Sequence, residues 1–326
     1  MTQLEHAIRS QVVELQRLAA REYGSFAARL EGRRRVWLVG TGSSQHVAEL
    51  GSLLLEEAGL DARWSGSSEF VRSAAKPKPS DAVILISHSA RTSFAVAARE
   101  LAIASGAEVI SITGTGGGWP EAIETVAMER SETYTVSVTA ALVILVELAH
   151  ALGARGLTRG DLEIAIERVG AVVNRCEVPA LEPPDRALVL VGCSAGATSA
   201  REGALKLREA ARVLAEGYGS EYLLHGSAVP LRRGDTLLLL NPASDRDGLL
   251  PALGEAARGS GVDVASIDER SIEHPMLAQL PTIVRLQLLA LAFSRRLGTD
   301  PDNAIAGSWA HEAMWTIGRP RSARRE

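Results

Sequence analysis

Apolar residues recur along this chain in two rhythms. Leu4, Ile8, Val12, Leu15 and Leu18 return every three or four positions, which predicts an amphipathic helix over residues 3–30. Short apolar runs then follow, each with a helical stretch behind it. Residues 36–39, 82–86 and 108–112 read as strands, with helices at 44–58, at 92–105 and briefly near 120. A long apolar helix is predicted over 137–153. Residues 154–182 carry a polar helix and lead to VPALEPPD, where Pro183 and Pro184 exclude a central strand. The pattern then restarts. Strands are predicted at 188–191, 236–240 and 263–267, and helices at 197–215 and 276–297.

Strands that alternate with helices of this length predict an α/β protein, with parallel sheets covered by helices on both faces. Four segments are expected: an N-terminal helix (1–30), a first domain (31–155), a linker helix (156–184) and a second domain with a C-terminal tail (185–326). The stretches VWLVGTGSSQHVAEL and LVLVGCSAGATSAREGAL share one plan of strand, small-residue loop and helix, so an internal duplication is expected.

Composition narrows the picture. With 326 residues, 46% of them hydrophobic, the chain has material for two domains with sizeable cores. The formal charge of −4 supplies no basic field for nucleic acid. Arg33, Arg34 and Arg35, and near the end Arg321, Arg324 and Arg325, read as solvated clusters. Cys176 and Cys193 have no metal-ligand spacing and cannot form a disulfide framework. The start, MTQLEHAIRSQ, lacks the apolar core of a signal peptide, and no apolar run has transmembrane length. A cytoplasmic protein without membrane partners is expected.

Three motifs carry chemistry. GTGSS (Gly40 to Ser44) lies between a strand and a helix, where glycines admit a ligand and the helix start offers N–H groups to a phosphate. The same residues also serve a capped tight turn. The loop lacks the third glycine of a dinucleotide fingerprint and the lysine of a Walker motif. SHSART places Ser87, Ser89 and Thr92 at another strand end, where their hydroxyls can meet an anion or cap a helix. In REGALKLREAARVLAEGYGSEYLLHG, Glu202, Lys206 and Glu209 share a helix face, and His225 follows. Two carboxylates around a cation can hold different protonation states, as an acid–base site requires. A solvated ion-pair ladder has the same spacing.

On these residues the sequence resembles the SIS (sugar isomerase) family, from about residue 30 to about residue 300. The nearest resemblance is to its double-SIS members: the isomerase half of glucosamine-6-phosphate synthase, amino-sugar-phosphate deaminases and fructosamine-phosphate deglycases. EGALKLREAARVLAEGYGSEYLLHG is similar to the family's EGALKLKE…HAEAY…HGP block, and SHSART to its S-x-S-G-E-T loop. The resemblance implies two tandem SIS domains of flavodoxin- or Rossmann-like three-layer architecture. It implies phosphate binding by Ser87, Ser89 and Thr92, and sugar-phosphate contacts by Gly42, Ser43 and Ser44. Glu209 would shuttle a proton between C1 and C2, with Glu202 and Lys206 in support. His225 would assist ring opening from the partner subunit of a homodimer. SETYTVSVT resembles a further stretch, implying ligand contacts at Thr135 and Ser137. No metal or organic cofactor is implied.

Departures accompany the match. Ala90 and Arg91 replace the loop's Gly-Glu, and Ser227 replaces the proline of HGP. No lysine follows Lys206, whereas the family's synthases carry one in their tail. The expected function is isomerisation or deamination of a hexosamine 6-phosphate. The alternatives are dehydration of an N-acetylated amino sugar 6-phosphate and non-catalytic sensing of a sugar phosphate.

Overall fold

A computed structural model describes residues 1–242 and 247–318 of the chain; the Arg321, Arg324 and Arg325 cluster lies outside the described residues. The elements begin with α1 (Gln3–Ala19), α2 (Gly24–Ala28), β1 (Val36–Gly40), α3 (Ser43–Glu57), β2 (Ala62–Gly66) and α4 (Ser67–Arg72). They continue with β3 (Ala82–Ile86), α5 (Ser93–Ala104), β4 (Glu108–Thr113), β5 (Ala122–Glu124), α6 (Val136–Ala151) and α7 (Arg159–Arg175). Then come β6 (Leu188–Gly192), α8 (Ala195–Ala211), β7 (Ala215–Gly219), α9 (Ser220–Tyr222) and a π-helical turn over Leu223–Ser227. The last elements are β8 (Thr236–Pro242), α10 (Leu249–Gly259), β9 (Asp263–Glu269), α11 (Gln279–Leu297), a 3₁₀ turn over Gly307–Ala310 and α12 (Glu312–Thr316).

The chain divides into two compact units. The first holds residues 18–128, 140–157 and those from Ile305 onward. Its sheet has the order β2-β1-β3-β4-β5, and every pairing is parallel. All five residues of β3 are buried, as a strand covered on both faces requires. On one face Leu38 meets Gly51 of α3, whose missing Cβ also leaves room for Leu145 of α6. On the other, Val39, Val83 and Leu85 pack with Phe70 of α4 and Ala98 and Ala102 of α5.

The second unit holds residues 1–17, 129–139 and 158–304. Its sheet, β7-β6-β8-β9, is also wholly parallel and repeats the first sheet's strand order without a fifth strand. Gly203 of α8 lies against Leu190 and against Leu286 of α11. Val189, Val191, Leu237 and Leu239 pack with Leu250, Leu253 and Ala257 of α10 on the opposite face.

These units cut the chain differently from the sequence-based segments. Residues 156–184 are expected to link two domains, but α7 instead packs on α11. It buries Leu162, Ile166 and Val169 almost completely, at about 1.5–3 kcal/mol per side chain. The expected 3–30 helix joins the same unit only through α1. Gln11 donates to Gln287 of α11 (2.8 Å), and Val12 packs against Gly170 of α7. The helix breaks before Tyr23, whose phenol donates to the Leu18 carbonyl (3.0 Å).

The short helix expected near 120 is absent, and the edge strand β5 follows it. Both β2 (ARWSG) and β7 (AEGYG) carry no apolar run, because each is an edge strand with exposed positions. Among the described residues no helix is long and apolar enough to cross a membrane.

Candidate active site

In the first unit, chain order reverses between neighbouring strands β1 and β3, the switch point where open parallel sheets take ligands. The two hydroxyl-bearing loops follow these strands. Gly40 ends β1 so close to α3 that a Cβ would lie 2.3 Å from the Ser44 carbonyl oxygen. Gly42 turns the chain with φ +59°, and Ser43 and Ser44 open the helix half-buried.

After β3, Ser87 is buried and its N–H donates to Ile112 O (3.0 Å). Ser89 Oγ accepts from the Arg91 N–H (3.3 Å), and Thr92 precedes α5 without a side-chain cap bond. Ala90 sits at φ +53°, a conformation a glycine takes without strain. The next residue, Ser93, donates to the Trp315 carbonyl (2.6 Å), which ties α12 to the start of α5. Trp309 and Trp315 are both exposed, and the Trp315 indole donates to Trp309 O (2.8 Å). Thus the Gly42–Ser44 and Ser87–Thr92 residues do share one sheet edge.

In the second unit, α8 carries Glu202, Lys206 and Glu209. They do not form a solvated ladder. The side chain of Lys206 is 0% exposed and that of Glu202 is 1%, while Glu209 keeps 22%. Lys206 Nζ donates to Glu209 Oε2 at 2.5 Å and lies 3.7 Å from Glu202 Oε1. The C-terminal end of α8 is anchored: Thr299 Oγ1 donates to Ala210 O (2.7 Å), and Arg212 donates to the Asn303 and Ala304 carbonyls.

The electrostatics follow from this burial. Desolvation opposes the Lys206 charge, but Glu209 and Glu202 outweigh it and hold the ammonium above its ordinary range. Burial raises Glu209 above the usual carboxylate range, although Lys206 pulls the other way. A carboxylate so raised is a stronger base than one in water. Its partial exposure makes it the member of the trio that can reach a substrate.

The 129–139 segment adds residues that the sequence reading missed. The Glu129 carboxylate accepts from both the N–H and the hydroxyl of Thr135 (3.0 Å each to Oε2). It also accepts from the N–H (2.9 Å) and hydroxyl (2.5 Å) of Ser137. The protons of Thr135 and Ser137, expected at a ligand, are thus engaged in closing the start of α6. Tyr134, between them, is half-buried; burial first, then Glu129 and Glu132, raise its phenol, and Lys206 and Glu209 also act on it. The phenol therefore belongs to the electrostatic surroundings of the Lys206–Glu209 pair. The alternation of apolar and hydroxyl residues in SETYTVSVT gave no signal that separated Tyr134 from its neighbours.

His225 stands apart. It lies in the π-helical turn, where Gly226 takes φ +102°, and its side chain is 74% exposed. Its Nε2 is 3.8 Å from Glu221 Oε1. Among the described residues no group of three or more His, Cys, Asp and Glu could hold a metal ion.

Parallel sheets with a hydroxyl-lined switch point, and a helix bearing an enclosed Glu–Lys–Glu trio, define an α/β protein built to handle a small polar ligand. Residues 29–151, which hold the first sheet and its helices, match the family described as SIS domain. The chain is 24% identical over 312 residues to the glutamine–fructose-6-phosphate aminotransferase (isomerizing) of Thermococcus kodakarensis, with 85% of this chain and 52% of that protein covered. It thus spans about half the length of the curated relatives it matches. Among solved structures, the C-terminal domain of glucosamine-fructose-6-phosphate aminotransferase from Francisella tularensis superposes with a TM-score of 0.77 at 16% identity, covering 93% of this chain and 98% of that one. A glucosamine-6-phosphate deaminase from Thermotoga maritima gives 0.67 at 17%, covering 92% and 97%. At such identities these structures share the fold.

Proposed function

We propose that the chain is a phosphosugar enzyme that moves a proton between C1 and C2 of a hexosamine 6-phosphate, as an isomerase or deaminase. The observation that carries this reading is Glu209: a carboxylate of raised basicity, hydrogen-bonded to an enclosed lysine, with one face open. The isomerising and deaminating activities that the relatives' names state fit the same chemistry. The second sheet repeats the strand order of the first, and we read it as a second SIS domain.

Ser87, Ser89 and Thr92, with Gly42, Ser43 and Ser44, take the phosphate and sugar. His225, exposed on its own protomer, serves the site of a partner in a homodimer and assists ring opening. The aldehyde of the open sugar acidifies the C2 hydrogen, and Glu209 takes that proton as the electron pair moves toward the carbonyl. Return of a proton to C1 gives a ketimine from an amino sugar. Water then releases ammonia and leaves a ketose phosphate. Lys206 and Glu202, enclosed as they are, set the basicity of Glu209 rather than touch the sugar.

The absence of any lysine after Lys206 in the sequence favours a second reading, in which C2 deprotonation expels the C3 hydroxyl of an N-acetylated amino sugar 6-phosphate as water. A panel of hexosamine, N-acetylhexosamine and fructosamine 6-phosphates, with products read by mass, tests both readings. Exchange of ammonia for water, or an unchanged mass, supports the first, and net loss of water supports the second. Binding without turnover across the panel overturns the enzymatic reading.

A further inference from the structure

We propose that the Tyr134 hydroxyl is the proton donor to the sugar's carbonyl oxygen, a catalytic group that works beside Glu209 in the same proton transfer. Resting on the phosphosugar reading, this role completes the step that Glu209 begins. As Glu209 takes the C2 proton, negative charge grows on the carbonyl oxygen, and that charge calls for a donor. Lys206 cannot supply it, because its side chain is fully enclosed and its Nζ donates to Glu209 (2.5 Å). No other lysine follows in the sequence.

Tyr134 and Glu209 flank one short segment, residues 299–301. Next to Tyr134 in the chain, Thr133 Oγ1 donates to Pro301 O (2.8 Å). Next to Glu209, the Ala210 carbonyl accepts from Thr299 Oγ1 (2.7 Å). Thr299 and Pro301 are close neighbours in sequence, so at most about 7 Å of chain separates the two anchors. On the other side of Tyr134, Thr135 has every polar group engaged. Its N–H and hydroxyl donate to Glu129, and its carbonyl accepts from Gln287 Nε2 (3.3 Å). Gln287 is itself held by Gln11 (2.8 Å), which accepts from Thr139 Oγ1 (2.7 Å). Thr133 and Thr135 are 0% exposed, while Tyr134 between them is half-buried. Fixed neighbours thus hold a partly open phenol near the partly open carboxylate of the trio, as a preorganised pair requires.

The electrostatics agree with this placement. Burial first, then Glu129, Glu132 and Glu209, keep the proton on the phenol beyond the ordinary tyrosine range, and Lys206 acts the other way. Tyr134 is therefore neutral where Glu209 serves as a base, and Lys206 steadies the tyrosinate that the step creates. In that step the C2–H electron pair becomes the C1=C2 double bond. The carbonyl π pair moves to O1, and O1 takes the phenol proton. Glu209 then returns its proton to C1. The tyrosinate takes one from the nitrogen on C2, or from the hydroxyl of a 2-hydroxy sugar. Both groups end as they began, and the product is the ketimine or the ketose phosphate.

Turnover and calorimetric affinity of the full chain, with glucosamine, galactosamine and mannosamine 6-phosphates as probes, test the inference. Tyr134→Phe keeps the ring and removes only the hydroxyl. Its kcat is expected to fall by roughly 10²-fold or more, while affinity stays within about twofold. Groups that serve one step are not additive, so adding Tyr134→Phe to Glu209→Gln should cost no more than about threefold further. A merely structural role would instead multiply the two single losses, and that result overturns the inference. So does a fall in kcat matched by an equal fall in affinity. Tyr134→Phe at the parental kcat, with Glu209→Gln impaired, overturns the inference and leaves the phosphosugar reading standing. No turnover of any of these sugar phosphates by the parent overturns both.

Discussion

The ammonium of Lys206 is wholly enclosed, yet it lies 2.5 Å from Glu209 Oε2, which belongs to the carboxylate of the trio that reaches the surface. Each partner acts on the other. Lys206 keeps Glu209 ionisable despite its burial, and Glu209 together with Glu202 keeps Lys206 charged.

Replacing Glu209→Gln preserves shape and removes the base. Turnover of the preferred hexosamine phosphate is expected to fall by roughly 10²–10⁴-fold, the usual worth of a placed general base. Affinity for the substrate, measured by titration, should change little. A variant that turns over at the parental rate removes Glu209 from the chemistry.

Replacing Lys206→Met leaves Glu202 and Glu209 buried without their cation. Removing one partner of a buried pair typically costs about 3–5 kcal/mol, so a large fall in denaturation midpoint is expected. The pH dependence follows in sign. Glu209 acts when deprotonated, and burial has already moved its titration above the usual carboxylate range. The acid limb of kcat/KM should therefore lie above that of an exposed glutamate, and higher still in the Lys206 variant. For stability the raised carboxylate acts oppositely. Its contribution is full below its unfolded pKa and is lost as pH rises through the folded one. A limb at the ordinary carboxylate position would show that Glu209 is not the titrating base.

How much of this was legible beforehand depends on the residue. The β1–α3 and β3–α5 loops were visible because an apolar strand followed by small hydroxyl residues is a local pattern. The E-x-x-x-K-x-x-E spacing placed Glu202, Lys206 and Glu209 on one face, but spacing cannot tell an enclosed trio from a solvated one. Burial settles that, and it depends on α11 and the 299–304 segment packing around α8. Glu129 was invisible because its partners lie six and eight residues on, across a non-helical loop at the start of α6. The edge strands β2 and β7 were missed because half-exposed strands need no apolar run.

Away from the site, Glu177 sets an acid limit on the second unit. Hydrogen bonding from Arg168 leads the causes that lower its pKa to about 2, with Arg285 adding to it. Arg285 and Arg168 also hold Glu269 (2.6 and 3.2 Å). Because the folded pKa is depressed, this stability is present above the unfolded value near 4.5 and is lost as pH falls toward 2. The shift corresponds to about 2 kcal/mol after allowance for the partial exposure of Glu177. Urea unfolding at pH 6 and at pH 3 should show that loss in the parent and a smaller one in Arg168→Met. Equal losses in both proteins would dissociate Glu177 from the acid sensitivity.

The two strand–helix turns make a paired test of backbone strain. Ser194 holds φ +49° where Gly42 holds φ +59°, in a region that side chains avoid. Ser194→Gly releases about 1–3 kcal/mol of strain and costs about 0.5–1 kcal/mol in unfolded-chain entropy. A net gain of about 1 kcal/mol is expected from denaturant unfolding. The reverse change, Gly42→Ser, should destabilise by a similar amount, since nothing within 4 Å of its Cβ position blocks a side chain and only the backbone objects. Gly40→Ala is expected to cost more than either, because its Cβ would meet the Ser44 carbonyl at 2.3 Å and α3 would have to move. A Ser194→Gly variant no more stable than the parent would mean that the turn relaxes in solution and that the serine carries no strain there.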